Sequence, residues 1–220
     1  MIFDYGGSSS HRYNLIEYLS EQGIDTVELL AFTHLHNDHT NGVNTLLRNV
    51  YVEDTIYPPF DFHSAEIMTT IMDTGREIEK SETITVLDNV KVEIIADALE
   101  NQSADENERC ICYRVQYGAT SILITGDLDG AAEMKLIDID LSCTILKVGH
   151  HGSTTSSFYP FLKKTAPEIA VISVGENSYG LPKEEVIDRL NTICPEVILT
   201  MNEGTICYQT DGVVLERINE

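Results

Sequence analysis

The chain lacks any run approaching the roughly 18 consecutive apolar residues that a membrane helix needs. Its opening stretch, MIFDYGGSSSHR, has no basic region followed by a long apolar segment, so no secretory leader is expected. Internal repeats and low-complexity linkers are missing too. There is no CxxC motif, and the five cysteines (Cys110, Cys112, Cys143, Cys194, Cys207) are odd in number. That pattern fits reduced, buried thiols in a cytoplasmic protein better than a disulfide framework. Basic residues are scarce: 14 Lys and Arg face 36 Asp and Glu, a formal charge of −22 with no Lys/Arg cluster. Such a surface favours solubility and repels polyphosphates, which argues against long duplex DNA as a ligand. The acidic stretch Asp97–Glu108 lacks the spacing and glycine of an EF-hand and reads as a solvated loop.

What is present is a chain of 220 residues with 42% hydrophobic and 23% charged residues, enough for a core within one domain spanning 1–220. Helical spacing is expected over Arg12–Gly23, Asn41–Asn49, Phe62–Ile78, Asp129–Ile137, Phe158–Lys164 and Pro182–Ile193. Strands are expected at Val27–Thr33, Thr83–Leu87, Val90–Ala96, Arg109–Tyr117, Ser121–Thr125, Thr144–Val148 and Glu168–Val174. Three more follow at Val197–Thr200, Thr205–Gln209 and Val213–Ile218, with a short extended piece at Val50–Val52. Hairpins and strand–helix crossovers both occur, which implies α/β layers with mixed sheets. Cys110 and Cys112 flank Ile111 and would share a strand face in the core, while Lys147 would be a strand-end lysine.

Of seven histidines, five fall in two clusters, His34/His36/His39 and His150/His151. The remaining two, His11 and His63, have no ligand partner nearby in sequence and read as surface residues. The first cluster, His34-Leu35-His36-Asn37-Asp38-His39, follows an apolar strand directly. A strand ending in a loop delivers side chains to one rim of a sheet, where ligands commonly sit. Imidazole and carboxylate suit zinc and related divalent ions. Four donors in six residues crowd a single tetrahedral ion but can divide between two. The other reading, a solvated polar turn, explains three histidines and an aspartate poorly. The second cluster, His150-His151-Gly152-Ser153, also closes a strand, as does Gly126-Asp127. Taken singly, each of these is also compatible with a structural turn.

The ordered set resembles the metallo-β-lactamase superfamily, and most closely the hydrolase domain of ComEC competence proteins and its free-standing relatives. Five segments carry the resemblance: FTHLHNDHTNGV (Phe32–Val43), ILITGDLDGAAE (Ile122–Glu133), ILKVGHHGSTTSS (Ile145–Ser157), VISVGENSYGLP (Val171–Pro182) and GTICYQTDG (Gly204–Gly212). It implies a four-layer αββα sandwich binding two divalent ions, zinc first, with manganese or iron also suited. By position, His34 and His36 would ligate the first ion, Asp38 and His39 the second, and Asp127 would bridge them. His151 would complete the second site and His150 would face substrate. Asp38, Asp127 and His150 would be the catalytic residues.

Four departures accompany the match. No His occurs in the segment NQSADENERCICYRV, where Asn107 stands nearest the position of a further first-ion ligand. His36 stands where ComEC-like domains often carry Asp. Leu181 replaces a His in the Tyr179–Pro182 run. The chain opens inside the Asp-x-Gly strand, at Ile2-Phe3-Asp4-Tyr5-Gly6, so the usual first strands would be absent.

The implied activity is hydrolysis by a metal-activated hydroxide, two ions lowering the pKa of water from 15.7 to about 7. Ser153 and Asn177 are candidates for contacting the scissile group, although Ser153 could equally cap its turn. The expected substrate is a small phosphoester or a short nucleotide. A lactone, thioester or lactam is the alternative, and a non-catalytic metal-binding interaction module is the alternative of a different class.

Overall fold

The computed structural model describes residues 1–6, 14–59, 70–73, 75–100 and 105–218. Its backbone parts into two compact units, Met1–Glu79 and Lys80–Glu220.

The first unit is built on a parallel sheet in the order β1 (Ile2–Phe3), β2 (Thr26–Ala31), β3 (Tyr51–Tyr57) and β4 (Arg76–Glu77). β2 is the central apolar strand, with Val27, Leu29, Leu30 and Ala31 all buried, as expected of a parallel strand covered on both faces. Helices α1 (Asn14–Glu21) and α3 (Val43–Asn49) contribute Leu19, Val43 and Leu46 to the core around Val27, Leu30 and Phe32. Between β2 and α3 lies the single turn α2 (Asn37–Thr40). β3 runs seven residues, well past the short piece expected at Val50–Val52, because it pairs with β2 from Thr26 to Ala31. Its exposed Glu53 and Asp54 hide its strand character in the sequence. Most of the helix expected over Phe62–Ile78 lies outside the described residues. Residues 70–73 are helical, but Arg76–Glu77 forms β4 rather than continuing that helix.

The second unit holds a seven-stranded sheet in the order β11-β10-β9-β8-β7-β6-β5. β5 (Glu82–Leu87), β6 (Val90–Ile95), β7 (Cys112–Tyr117) and β8 (Thr120–Ile124) form an antiparallel meander. From β8 onward the pairing is parallel, through β9 (Ile145–Lys147), β10 (Ile169–Ile172) and β11 (Glu196–Leu199). The crossovers carry α4 (Gly130–Lys135), α5 (Tyr159–Thr165) and α6 (Glu184–Asn191). These helices bury Ala132, Phe161, Leu162, Val186 and Leu190 against Leu123, Leu146 and Ala170 of the sheet. A separate cluster of Ile145, Ile169 and Ile198 meets Tyr208 and Leu215 of a C-terminal hairpin, β12 (Cys207–Thr210) and β13 (Leu215–Ile218). Asp97–Glu100 and Glu106–Arg109 are short 3-10 turns in the expected acidic loop, whose residues 101–104 lie outside the described ones.

No disulfide joins the five cysteines, four of which are buried. Cys110, Ile111 and Cys112 are all core residues, and burial pushes the Cys143 thiol up to about 12. Among the described residues no helix is long and apolar enough to cross a membrane.

The topology explains where donors gather. In the first unit the parallel strands β1 and β2 end side by side, with Phe3 opposite Ala31, so Asp4 and the loop after Phe32 share a rim. In the second unit the parallel strands β8 and β9 end side by side, with Ile124 opposite Lys147. Gly126-Asp127 and His150-His151 therefore leave the sheet at one rim, where its pairing changes from antiparallel to parallel.

Candidate metal centre

In the first unit, Thr33–His36 is the loop leaving β2, and α2 begins with Asn37 after the N-cap His36. One helical turn thus fixes Asp38 and His39, while the extended approach fixes His34 and His36. His34 is 1% exposed and His39 4%, whereas the Asp38 side chain is 60% exposed. The His34 and His39 ring centroids are 4.1 Å apart, and His34 Nε2 lies 3.1 Å from His36 Nδ1. His39 Nε2 lies 3.9 Å from an Asp38 oxygen.

Asp4, which in the sequence is simply part of the opening Asp-x-Gly run, organises this set. Its carboxylate accepts the Thr33 backbone N–H at 2.8 Å and the Thr33 hydroxyl at 2.8 Å. It also accepts His39 Nδ1–H at 2.8 Å. Burial raises its pKa, but the bonds and charges from His39 outweigh this and hold the carboxyl below its ordinary range. A nitrogen facing a carboxylate carries the proton, so the His39 lone pair is placed on Nε2. The signal in sequence was the Asp-x-Gly run itself. Gly6 is required there because a Cβ would fall 1.8 Å from the Asp38 carbonyl oxygen.

In the second unit, Asp127 is 3% exposed. Its carboxylate oxygens lie 3.8 Å from His150 Nε2 and 3.7 Å from His151 Nε2. These separations exceed a hydrogen bond. They match donors that share one ion, since each would sit only about 2.0–2.2 Å from it. His151 Nδ1–H donates to the Ser173 carbonyl at 2.7 Å, which again puts the lone pair on Nε2. His150 differs, its Nδ1 lying 3.0 Å from the Thr155 hydroxyl. The two backbones are left-handed in succession, with φ 47° at His150 and 51° at His151. Each such residue costs about 1–3 kcal/mol and persists only where its surroundings hold it.

Ser153 Oγ lies 3.1 Å from Thr155 Oγ1, beside the His150 ring partner. Asn177 organises its own loop: its amide donates to the carbonyls of Gly175 and Leu181, and its carbonyl accepts from the N–H groups of Tyr179 and Leu181. That loop leads to Lys183, whose N–H donates to Gly152 at 2.9 Å. The Lys147 ammonium donates to the Gly126 carbonyl at 3.4 Å, beside Asp127. Asn107, nearest the position of the missing histidine, has a buried Oδ1 with no hydrogen-bond partner among the described residues. Its carbonyl accepts the Asp129 N–H at 3.2 Å, which places it near the Gly126-Asp127 turn. His11 and His63 lie outside the described residues.

The donor sets fit divalent ions. His39 and His151 each have Nδ1 committed to an oxygen acceptor and Nε2 carrying the lone pair, the arrangement of ligating histidines.

The Metallo-beta-lactamase superfamily model matches residues 1–176. ComE operon protein 3 of Bacillus subtilis is 26% identical over 205 residues, covering 89% of this chain and 26% of that protein. Recombination protein 2 of Haemophilus influenzae is 28% identical over 211 residues, covering 94% and 26% respectively. The chain thus spans about a quarter of the length of these curated relatives. Among solved structures, a diphosphatase of the PhnP family aligns with TM-score 0.50 and 14% identity over 88% of this chain and 75% of that one. Zn(2+)-bound PqqB of Methylobacterium extorquens aligns with TM-score 0.50 and 10% identity over 89% and 79%. At these identities the likeness concerns the fold alone.

Proposed function

Because the chain belongs to the metallo-β-lactamase superfamily, whose members are metal-dependent hydrolases, we propose that it hydrolyses a small phosphoester or short nucleotide with two divalent ions, zinc by donor preference. The observation that carries this reading is that Nδ1 of His39 lies 2.8 Å from the Asp4 carboxylate and Nδ1 of His151 lies 2.7 Å from the Ser173 carbonyl, which leaves Nε2 of each to ligate. In this reading the chain acts as one domain in the cytoplasm. His34, His36, Asp38, His39, Asp127 and His151 are the ligands, and Asn107 offers an oxygen in place of the further histidine.

When bound, the ions supply Lewis acidity and bring the pKa of water to about 7. The chain's own residues do the rest. Asp38 and Asp127 accept hydrogen bonds from the attacking water and orient it. Asp4 keeps the proton on His39 Nδ1 and so preserves its ligating nitrogen. His150, held by Thr155, moves a proton at Nε2 or donates there to the anion, and the Ser153 hydroxyl adds a second donor. Asn177 acts through its loop, presenting Tyr179, which is 78% exposed. The acidic surface favours small substrates over polyanions.

The test is metal analysis together with hydrolysis of bis-(p-nitrophenyl) phosphate, a lactone and a thioester. Close to two ions per chain are expected, with phosphodiester turnover abolished in Asp38→Ala and Asp127→Ala. Preference for the carbonyl substrates would overturn the phosphoester assignment. Metal-loaded protein inert toward all three would overturn the enzymatic reading.

A further inference from the structure

We propose that Glu133 and Arg189 are positioning residues for the His150–His151 turn, acting through the backbone of Ser156, Ser157 and Phe158. The proposal rests on reading those histidines as site residues.

Glu133 lies on α4 and is only 1% exposed. Its carboxylate accepts the Ser157 N–H at 2.5 Å and the Phe158 N–H at 2.9 Å. Arg189 approaches from α6, its guanidinium donating to the carbonyls of Ser156 at 3.2 Å and Ser157 at 2.8 Å. The same guanidinium donates to Glu185 at 2.9 Å and lies 5.4 Å from the centre of the Phe158 ring. Two polar side chains from different helices thus hold three consecutive residues by their main chain. The held segment is strained, with Ser157 at φ 57°.

This segment is joined to the histidine turn at two points. The Ser156 hydroxyl donates to the Gly149 carbonyl at 2.9 Å, immediately before His150. Thr155 places its hydroxyl 3.0 Å from His150 Nδ1, and its carbonyl accepts the Gly130 N–H at 2.8 Å. α4 therefore holds the segment with its first residue and with Glu133. The left-handed pair at positions 150 and 151 needs support from its surroundings, and this segment supplies it. A buried carboxylate is costly unless its hydrogen bonds are made, and here they are made to the backbone that positions the His150 partner.

The test uses metal-free protein labelled with 15N-histidine, in which long-range proton–nitrogen spectra report each imidazole's proton position. Glu133→Gln keeps the side-chain shape but turns an N–H toward one of the two backbone donors. The expected result is a folded protein with displaced His150 and His151 ring signals and unchanged His34, His36 and His39 signals. Cobalt(II) titration of the same variant is expected to show about 10-fold weaker binding, the lower end of losses from residues supporting a ligand. Met134→Ala, on the same helix but exposed, should change neither. A folded Glu133→Gln with wild-type histidine signals overturns the proposal. If that variant does not fold, Arg189→Met keeps an unbranched stem but removes the Nη1 that donates to both carbonyls, and unchanged ring signals in it overturn the proposal equally. Unfolding of both variants assigns the pair to the fold and also overturns it. His151→Ala separates the two readings: wild-type cobalt binding by that variant would defeat the metal assignment, while the ring spectra still judge the positioning role.

Discussion

The two donor regions reach the same end by opposite means. In Met1–Glu79 the donors sit on ordinary backbone, a loop and one helical turn, and a single carboxylate from the neighbouring strand, Asp4, fixes Thr33 and His39 together. In Lys80–Glu220 the histidine pair sits on successive left-handed residues, and its support comes from a loop held by two helices. The first arrangement keeps its donors on relaxed backbone and places the strain at Asp4, which is left-handed at φ 56°. The second stores strain in the turn and depends on buried polar bonds elsewhere. Donor placement can thus rest on regular structure or on a strained turn, and in both regions the supporting residues leave little trace in the sequence.

The largest expected effect comes from Asp127→Ala, the carboxylate next to both His150 and His151. Several kcal/mol of charge stabilisation depend on it, so kcat/KM for bis-(p-nitrophenyl) phosphate should fall at least ~1,000-fold. A loss below tenfold would make the second region dispensable and break the comparison.

A pH effect follows. Burial pushes the Glu133 carboxyl up to about 7, against the bonds from Phe158 and Ser157 and the Arg189 charge, with Asp129 nearby adding to the rise. Its folded pKa exceeds its unfolded value of 4.5, so this group's contribution is complete below about 4.5 and is lost as pH rises through about 7. Urea unfolding of metal-free protein should show the stability of wild type relative to Glu133→Gln falling by a few kcal/mol over that interval. A difference that rises with pH would contradict it.

In the first region, Asp4→Asn replaces the charged acceptor of His39 with a neutral amide. Metal affinity measured by competition with a chromophoric chelator should weaken about 10- to 100-fold. Nearly as large, in the other direction, Asn107→His should tighten binding of one ion by about tenfold, restoring a nitrogen donor where the family often has one.

The smallest effect sharpens the contrast most. In chelator-treated protein, His150→Gly should be more stable than His150→Ala by about 1 kcal/mol, because glycine accepts the left-handed backbone freely. At Asp38, in helical backbone, the order should reverse by about the same amount. Thermal unfolding of the four variants reads the sign directly.

The sequence showed much of this. Apolar runs ending in His, Gly-Asp or His-His marked the strand ends, and most strands lie close to the expected spans because their alternation or burial is strong. β3 was foreshortened, since Glu53 and Asp54 interrupt its apolar pattern while parallel pairing with β2 carries it on. β4 was invisible: two charged residues, Arg76 and Glu77, pair only because β3 is there. The five clustered histidines and both aspartates stand out as candidates, because chemistry-bearing residues crowd together in sequence. Asp4, Glu133 and Arg189 do not, since each acts across 24 or more residues through bonds that only the folded chain creates. Asn177 is a candidate for contacting the scissile group, and its side-chain amide makes four hydrogen bonds within its own loop. Such saturation has no signature in composition or spacing.

Anomalous diffraction at the zinc edge from metal-loaded crystals decides whether the proposed donors hold two ions. Two peaks are expected about 3.5–4 Å apart, with Asp127 in reach of both, His39 and His151 binding through Nε2, and Nδ1 of each still held by Asp4 and Ser173. Two well-separated peaks, each served by one histidine cluster alone, or no peak at Asp127, would contradict the account.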